Sequence, residues 1–220
     1  MSDPLADFDA FYAGTAVAAG SDSVPWNIGE PQPAIAALID AGRVRGEVLD
    51  AGCGVGDTAL YLASRGYVVV GLDLSPTAIG QARRAAAERG LAVEFAVADI
   101  TSFTGYDGRF ETVVDSTLFH SIPVASRSAY LAAIARAAAP GATLYVLVCT
   151  KEFDFPGGEG PNPVDEPELR AAVEEHWSVE SVVPASALSL LPPAIAASSP
   201  RDDRGRALLP AFLLTARREN

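Results

Sequence analysis

Short apolar runs alternate with segments of helical periodicity along most of the chain. Between the runs, apolar residues recur at three- and four-residue spacing, as they do on the buried face of a helix. This alternation predicts an α/β fold, a doubly wound and mostly parallel sheet with helices on its faces. One predicted strand ends at Leu49, and the other six span residues 67–72, 92–98, 110–115, 142–149, 178–183 and 208–216.

Capping residues and prolines mark the helix boundaries. Ser75 and Pro76 suit the first positions of a helix and Gly90 suits its end, so residues 76–89 are predicted to be helical. Asp57 can cap another helix directly after a glycine-rich stretch. The remaining predicted helices span residues 5–13, 33–41 and 168–176, and a further one begins at Pro123.

Length and composition predict a single domain. The chain has 220 residues, 49% of them apolar, which is sufficient for one full α/β core. We therefore expect residues 1–220 to form one domain, with residues 1–33 as an N-terminal helical cover. Two further segments, 151–167 and 184–206, are long for connections within a compact domain. We expect both to be loops on the substrate side.

The charge balance bears on partners and location. With 16 basic and 28 acidic residues the formal charge is −12, so a phosphate backbone would be repelled and nucleic acid is not an expected partner. No apolar stretch reaches the roughly 18 residues of a membrane span, and the N-terminus lacks signal-peptide features. The two cysteines do not suggest a disulfide framework. We expect no membrane association and a cytoplasmic location, and the Arg- and Ala-rich composition is typical of a GC-rich bacterial genome.

The stretch 48–56, Val-Leu-Asp-Ala-Gly-Cys-Gly-Val-Gly, carries the clearest chemical signal. Its three glycines remove Cβ atoms where a strand turns into a helix, so a ligand can approach the backbone there. The next predicted strand ends in Asp73, 23 positions after Asp50. A carboxylate at that place can accept hydrogen bonds from both hydroxyls of a ribose. The stretch therefore predicts a site for a nucleoside-containing cofactor.

Glycine spacing separates two classes of cofactor. A dinucleotide fingerprint reads G-x-G-x-x-G, whereas residues 52–56 read G-x-G-x-G. The segment Asp-Ala-Gly-Cys-Gly-Val-Gly closely resembles the first motif of the class I, Rossmann-like S-adenosylmethionine-dependent methyltransferases, and Gly-Leu-Asp-Leu-Ser at 71–75 resembles their second. The resemblance implies a seven-stranded sheet with an antiparallel last strand. It also implies S-adenosyl-L-methionine as cofactor and S-adenosyl-L-homocysteine as product.

A narrower resemblance lies upstream. Residues 25–33, Pro-Trp-Asn-Ile-Gly-Glu-Pro-Gln-Pro, are similar to a signature of small bacterial methyltransferases of the thiopurine-methyltransferase-like and heterocyclic-toxin type. In that family the N-terminal segment folds over the cofactor, which implies that Trp26 and Gln32 lie against its methionine end. Asn27 replaces the usual Asp, so the position keeps an acceptor but loses a charge.

The superfamily motifs imply a set of cofactor contacts. Asp99 and Ile100 follow the third strand, where the family typically binds adenine, and Asp115 or its neighbouring carbonyls would hold the cofactor's amino group. The carboxylates of Asp50, Asp73 and Asp99 all fall at predicted strand ends and would meet at one edge of the sheet. The full predicted set is Trp26, Gln32, Asp50, Gly52, Cys53, Gly54, Asp73, Leu74, Asp99, Ile100 and Asp115.

The segment after Asp115, Ser-Thr-Leu-Phe-His, is typical of the family's small-molecule enzymes and differs from the motif of enzymes that methylate nucleic-acid bases. His120 could take a proton from the acceptor or orient it, or it could be structural. No ligands at metal spacing accompany it, so no metal is expected. The expected substrate contacts are Phe11, Trp26, Phe119, His120 and Phe153, which together with Phe8 and Tyr12 favour a flat aromatic or heterocyclic acceptor.

Two other functions are also compatible with the sequence. An NAD(P)-dependent oxidoreductase is disfavoured by the glycine spacing, and a non-catalytic S-adenosylmethionine-binding module is disfavoured by the intact motif residues. The motifs leave open whether oxygen, nitrogen or sulfur is methylated, and whether the protein is a monomer or a homodimer.

Overall fold

The computed structural model describes residues 6–16, 24–153 and 161–219, with side chains described from Asp9 onward. Within this part, seven strands form one sheet: β1 (Val48–Ala51), β2 (Val69–Asp73), β3 (Glu94–Val97), β4 (Phe110–Ser116), β5 (Ala138–Cys149), β6 (Ser178–Ser189) and β7 (Ala207–Arg217). The helices are α1 (Ala6–Tyr12), α2 (Pro33–Asp40), α3 (Asp57–Ser64), α4 (Pro76–Arg89), α5 (Arg127–Ala137) and α6 (Glu166–Val173).

The strands lie in the order β3-β2-β1-β4-β5-β7-β6. β1 pairs in parallel with both β2 and β4, while β7 runs antiparallel to its neighbours β5 and β6. The chain therefore builds one half of the sheet from β1 to β3 and then returns to the other side of β1. Ligands bind at such a reversal, beyond the carboxyl ends of the strands. The predicted seven-stranded, mostly parallel sheet with an antiparallel last strand is confirmed.

Alternate residues of the central strands pack into two apolar clusters. Val113 belongs to one cluster and Val114 to the other, because successive side chains of a strand point to opposite faces. All four residues of β1 are buried. The carboxyl end of β1 is thus held between two packed layers, which makes the loop that follows it a rigid platform.

α4 begins and ends where its sequence predicts. The Ser75 side chain accepts a hydrogen bond from the Ala78 N–H, Pro76 occupies the first turn, and Gly90 ends the helix with φ 64°. α3 differs by one residue: Gly56 is its N-cap and Asp57 its first residue. Both helices therefore start at the carboxyl edge of the sheet.

β6 is longer than its sequence predicts. It extends beyond 183 to Ser189 and pairs with β7 as far as Ser189 opposite Ala207, so residues 184–189 are strand and only 190–206 form the loop. Pro184 is tolerated because β6 is an edge strand, where a missing N–H leaves no partner unsatisfied.

Two other boundaries shift. After Pro123 comes a single 3₁₀ turn, Val124–Ser126, and α5 begins only at Arg127. β5 begins at Ala138, four residues earlier than predicted, because the Pro140-Gly141 pair lies within an irregularity of its pairing with β4. The extra residues of β5 at that irregularity are unpaired with β4, but the strand continues on both sides of them.

The loop after β5 is fixed at both described ends. The Val164 N–H donates to the Cys149 carbonyl and the Lys151 N–H donates to the Val164 carbonyl. Residues 154–160 of the expected substrate loop lie outside the described residues.

No helix in the described ranges is both long and apolar enough to cross a membrane.

Candidate active site

The glycine loop between β1 and α3 has a backbone that only glycine adopts easily. Gly52 and Gly54 have φ values of 67° and 53°, in the left-handed region. A Cβ atom at Gly52 would lie 2.7 Å from the side chain of Leu118, and one at Gly54 would lie 2.7 Å from the hydroxyl of Tyr12. Neighbouring groups thus approach this backbone from two sides.

A cleft opens beside this loop, between the cover residues and the turn after β4. Its walls bring together several of the predicted contacts with residues that were not predicted. Among the described lining residues are three acids and no Lys, Arg or His, so the cleft suits a ligand with positive charge. The lining comprises Tyr12, Trp26, Asn27, Glu30, Gln32, Asp50, Gly52, Cys53, Gly54, Val55, Asp57, Thr58, Ser116 and Thr117.

Asp50 is the most unusual of these acids. Its side chain is 2% exposed, and its Oδ2 atom has no hydrogen-bond partner. Burial raises the pKa of Asp50 to about 7, although a backbone N–H at Ala59 donates to the carboxylate. A buried oxygen without a partner is costly. A cationic ligand group in the cleft would satisfy it.

Asp73, at the end of β2, holds the glycine loop to α4. Its Oδ2 accepts from the Gly54 N–H at 2.8 Å and its Oδ1 from the Ser75 N–H at 2.9 Å. Burial raises the pKa of Asp73 in spite of these bonds. A carboxylate has about four acceptor sites, more than these N–H groups use, so it can still receive a hydroxyl group. The next residue, Leu74, is half-buried.

Asp99 and Ile100 lie at the same sheet edge, after β3. The Asp99 Oδ1 accepts from the Thr101 N–H at 2.8 Å and the Thr101 hydroxyl at 2.7 Å. Burial acts against ionisation, but the hydrogen bonds from Thr101 prevail and lower the pKa of Asp99. Ile100 packs into the core. Neither residue is part of the cleft wall around Asp50.

Both carboxylate oxygens of Asp115 are occupied by protein groups. Oδ1 accepts from the N–H groups of Leu118 (2.8 Å) and Phe119 (3.2 Å), and Oδ2 accepts from the Tyr130 hydroxyl at 2.7 Å. Burial raises the pKa of Asp115 to about 6. This side chain shapes the turn after β4, so of the two alternatives for this position the neighbouring backbone is favoured for a cofactor contact.

Thr117 is placed in the cleft wall by that turn. Its φ is 71°, the one positive value among the described non-glycine residues. Such a conformation costs about 1–3 kcal/mol and persists where the surroundings impose it, often at functional sites. The sequence carries no signal for it beyond the position after the fourth strand.

Phe119 and His120 lie behind the cleft and are not among its lining residues. Phe119 is fully buried between Tyr130 and Arg127, because the turn held by Asp115 directs it into the core. The Nδ1 atom of His120 accepts from the Cys149 N–H at 3.2 Å, and burial lowers the pKa of His120 to about 4. These observations favour the structural alternative for His120 over a base.

The aromatic cover lies over the glycine loop. The Trp26 indole N–H donates to the Tyr12 hydroxyl at 2.8 Å, and Phe11 meets Trp26 edge to face with ring centroids 5.7 Å apart. Burial, followed by the negative charge of Asp73, raises the pKa of Tyr12. Phe153 is buried in the core cluster that contains α2 and does not line the cleft. The Phe8 side chain lies outside the described residues.

Gln32 lines the cleft, but its amide is engaged elsewhere. The Nε2 group donates to the Leu188 carbonyl at 2.9 Å, and the Oε1 atom accepts from the Leu188 N–H at 2.8 Å. The side chain is 4% exposed. Gln32 therefore binds the cover segment to β6, a role that sequence reasoning missed because the partner is 156 residues away.

The described residues contain no cluster of His, Cys, Asp and Glu that could hold a metal ion. Two observations show that the site fits S-adenosylmethionine. The unpartnered Asp50 oxygen suits a cationic group, and Gly52 and Gly54 place a left-handed backbone in the cleft wall. Asp73 has spare acceptor capacity at the neighbouring strand end.

Comparisons with known proteins agree with this geometry. A family model described as a methyltransferase domain matches residues 48–141. The chain is 55% identical over 187 residues to the 2-heptyl-1-hydroxyquinolin-4(1H)-one methyltransferase of Mycobacteroides abscessus, covering 84% of this chain and 82% of that protein.

Solved structures extend the agreement to nearly the whole chain. One, from work on the conversion of a disulfide bond into a thioacetal group during echinomycin biosynthesis, superposes with a TM-score of 0.85 at 36% identity, over 99% of this chain and 93% of that one. The 1,6-didemethyltoxoflavin-N1-methyltransferase of Burkholderia thailandensis, with bound 1,6-didemethyltoxoflavin and S-adenosylhomocysteine, superposes with a TM-score of 0.59 at 25% identity, covering 86% and 77% of the two chains.

These similarities give no support to an oxidoreductase or a non-catalytic module. The Mycobacteroides abscessus relative is more than half identical over most of both chains. The protein belongs to the class I S-adenosylmethionine-dependent small-molecule methyltransferases, and S-adenosylmethionine is its cofactor.

Proposed function

We propose that this enzyme methylates the ring-bound hydroxyl of a flat heteroaromatic of the 1-hydroxyquinolin-4(1H)-one class. The observation that carries the proposal is the cleft itself, with Tyr12 and Trp26 over the glycine loop and no basic side chain among its described lining residues. Aromatic walls favour a flat apolar acceptor. The Mycobacteroides abscessus relative is named for an acceptor of this class.

An acidic ring hydroxyl matches the chemistry available in the cleft. When bound, S-adenosylmethionine supplies a methyl group on a positively charged sulfur, which is already activated for transfer. The protein then has to align the acceptor oxygen and exclude water, and alignment alone can lower a barrier by about 7–11 kcal/mol in favourable cases. An acceptor that ionises readily needs no protein base. This agrees with the position of His120 behind the cleft.

We assign the cofactor contacts by position. Asp50 would face the positive methionine end, Gly52, Cys53 and Gly54 would pass beneath it, and Asp73 with Leu74 would receive the ribose. Asp99 and Ile100 would bind adenine at the end of β3. Trp26 would close the cleft, while Gln32 and Asp115 would support its walls through the backbone groups that they bind.

Other aspects of the proposal concern the whole chain. We propose that residues 1–220 act as one domain in the bacterial cytoplasm, with residues 1–33 as the cover. The free, buried thiols of Cys53 and Cys149 suit a reducing compartment. The formal charge of −12 argues against nucleic acid as a partner.

The test is a methylation assay with a matched pair of acceptors. A 2-alkyl-1-hydroxyquinolin-4(1H)-one and the same quinolone without its hydroxyl are incubated separately with enzyme and S-adenosylmethionine, and mass spectrometry follows the gain of one methyl group. We expect methylation of the hydroxylated compound alone, with the new methyl on oxygen. Equal methylation of both, or of neither, would contradict the proposed acceptor class.

A further inference from the structure

α1 reaches the cofactor cleft although it is too short to be stable alone. It spans only seven residues, Ala6–Tyr12, and isolated helices of that length do not form in water. Its position must therefore come from tertiary contacts. Its last residue, Tyr12, lies in the cleft wall next to Gly54.

Asp9 makes most of these contacts. Its Oδ1 accepts from the Ser75 hydroxyl and from the Thr77 N–H at 3.0 Å, and its Oδ2 accepts from the Thr77 hydroxyl at 3.2 Å. All three donors belong to the start of α4, where free N–H groups and the helix dipole favour a carboxylate. The hydrogen bonds from Ser75 and Thr77 lower the pKa of Asp9, so it is ionised at neutral pH.

The same helix start also holds Asp73. Ser75, which gives its hydroxyl to Asp9, gives its N–H to Asp73. Gly54, which lies beneath the Tyr12 hydroxyl, gives its N–H to the other oxygen of Asp73. α1 therefore contacts two of the residues whose N–H groups orient that carboxylate.

Two further bonds keep the end of α1 in place. The Gln81 amide of α4 donates to the Tyr12 carbonyl at 3.1 Å, and the Trp26 indole donates to the Tyr12 hydroxyl at 2.8 Å. α1 thus bridges α4 and the cover segment across the cleft. Loss of the Asp9 contacts would leave the bond from Gln81 as the remaining described hydrogen bond between α1 and α4.

We propose that Asp9 is a positioning residue that holds α1 closed over the cofactor and, through Ser75, fixes Asp73 for the ribose. This inference rests on the proposed role of Asp73 as the ribose ligand. Asp9 itself does not line the cleft. Its effect on cofactor binding would be exerted through the residues that it holds.

Cofactor affinity and the mobility of α1 test the proposal together. Calorimetry gives the Kd for S-adenosylmethionine and S-adenosylhomocysteine, and hydrogen–deuterium exchange reports on the amides of α1. We expect Asp9→Ala to weaken both ligands by roughly tenfold, the equivalent of one charged hydrogen bond, and to speed exchange in α1. Asp9→Asn should rescue most of the affinity, because its amide oxygen can still accept from Ser75 and Thr77.

Three companion variants make the result decisive. Asp40→Asn, which removes an exposed ion pair with Arg65, should leave the Kd and the exchange of α1 unchanged. Thr77→Val removes one hydrogen-bond donor to Asp9 and should weaken S-adenosylmethionine binding by a smaller factor. If Asp9→Ala does not fold, this milder variant still tests the proposal. Asp73→Asn tests the ribose contact: unchanged affinity there would refute the proposed role of Asp73. A large loss for Asp73→Asn with wild-type affinity and exchange for Asp9→Ala would overturn the inference about Asp9 alone.

Discussion

Individual carboxylates of this protein differ in role because their surroundings differ. Asp50 and Asp115 are both buried at neighbouring strand ends, yet Asp115 has partners for both oxygens and Asp50 leaves one without. Burial disfavours the charged form in both cases. The oxygen without a partner is the one that a cationic ligand group could satisfy, so we expect cofactor binding to respond to pH through Asp50.

Asp50→Asn should change the pH dependence of stability. The unfolded chain loses the Asp50 proton near the ordinary pKa of 3.8, whereas the folded protein keeps it until about pH 7. The folded state therefore binds more protons in this window, and the wild type loses stability as pH rises through it. The free energy of unfolding of the Asn variant, relative to that of the wild type, should therefore rise by on the order of a few kcal/mol between pH 4 and pH 8. Urea unfolding of both proteins without cofactor measures this, and a difference that stays constant with pH would contradict it.

His120→Ala and His120→Asn should separate a structural role from a catalytic one. Alanine leaves the buried Cys149 N–H without its acceptor and should cost about 1–3 kcal/mol of stability. Asparagine offers an oxygen near the place of Nδ1 and should recover part of this loss. We expect both variants to keep the wild-type pH profile of kcat. A large fall in kcat with an unchanged Tm would instead identify His120 as the base.

At the scale of elements, the cover segment is fixed to the β6–β7 hairpin at several points. Gln32 pairs with the Leu188 backbone, and the carbonyl of Pro25 accepts from the Leu190 N–H and the Ser189 hydroxyl. Glu30 pairs with arginines near the start of β7. The extension of β6 to Ser189 is what brings these partners to the cleft. The predicted loop 184–206 thus contributes to the site mainly as a support.

Arg206 and Arg204 form a matched pair for testing this support. Both contact Glu30, but the Arg206 side chain is 10% exposed and also binds Asp202, whereas that of Arg204 is 69% exposed. Arg206→Ala should destabilise the protein more than Arg204→Ala does, because it removes a guanidinium that binds both Glu30 and Asp202, and it should weaken S-adenosylmethionine binding. Arg204→Ala should cost no more than about 1 kcal/mol. Thermal unfolding and calorimetry compare them, and equal losses would contradict the proposed support.

At the scale of the whole molecule, the cofactor cleft carries the same sign of charge as the chain. The protein has a formal charge of −12, and the described cleft residues include Glu30, Asp50 and Asp57 without a basic side chain. Glu30 is neutralised by its arginines, so Asp50 and Asp57 determine the local field. Such a field discriminates between ligands that differ by one charge.

The cleft should therefore prefer the methyl donor to its product. S-adenosylmethionine carries one more positive charge than S-adenosylhomocysteine, and a carboxylate a few ångströms away is worth about 1–4 kcal/mol to that charge, depending on solvation. Asp57→Asn keeps an acceptor for the Gly29 N–H, which donates to Asp57, but removes the charge. We expect Asp57→Asn to lower the preference for S-adenosylmethionine over S-adenosylhomocysteine, taken as the ratio of the two affinities, by roughly fivefold or more. Calorimetry with both ligands measures the ratio, with Asp165→Asn at an exposed site as control. A ratio equal to that of the wild type would exclude this effect.

Local rules accounted for much of the fold. The Ser75, Pro76 and Gly90 signals predicted α4 to the residue, and apolar runs located every strand, because capping and burial patterns depend on nearby residues. The end of β6 and the start of β5 were misplaced, since there pairing with a distant strand decided the boundary.

The sequence by itself determined the alternation of strands and helices, the glycine loop and the strand-end acids, and its motif resemblance indicated the cofactor class. Only the tertiary structure decided which side chains remain free to bind. Asp9 meets Ser75 across 66 positions and Gln32 meets Leu188 across 156. Phe119 and His120 follow the turn held by Asp115 into the core. The physical reason is that a polar group's role depends on whether its hydrogen bonds are already satisfied, and those partners come from elements far apart in the chain.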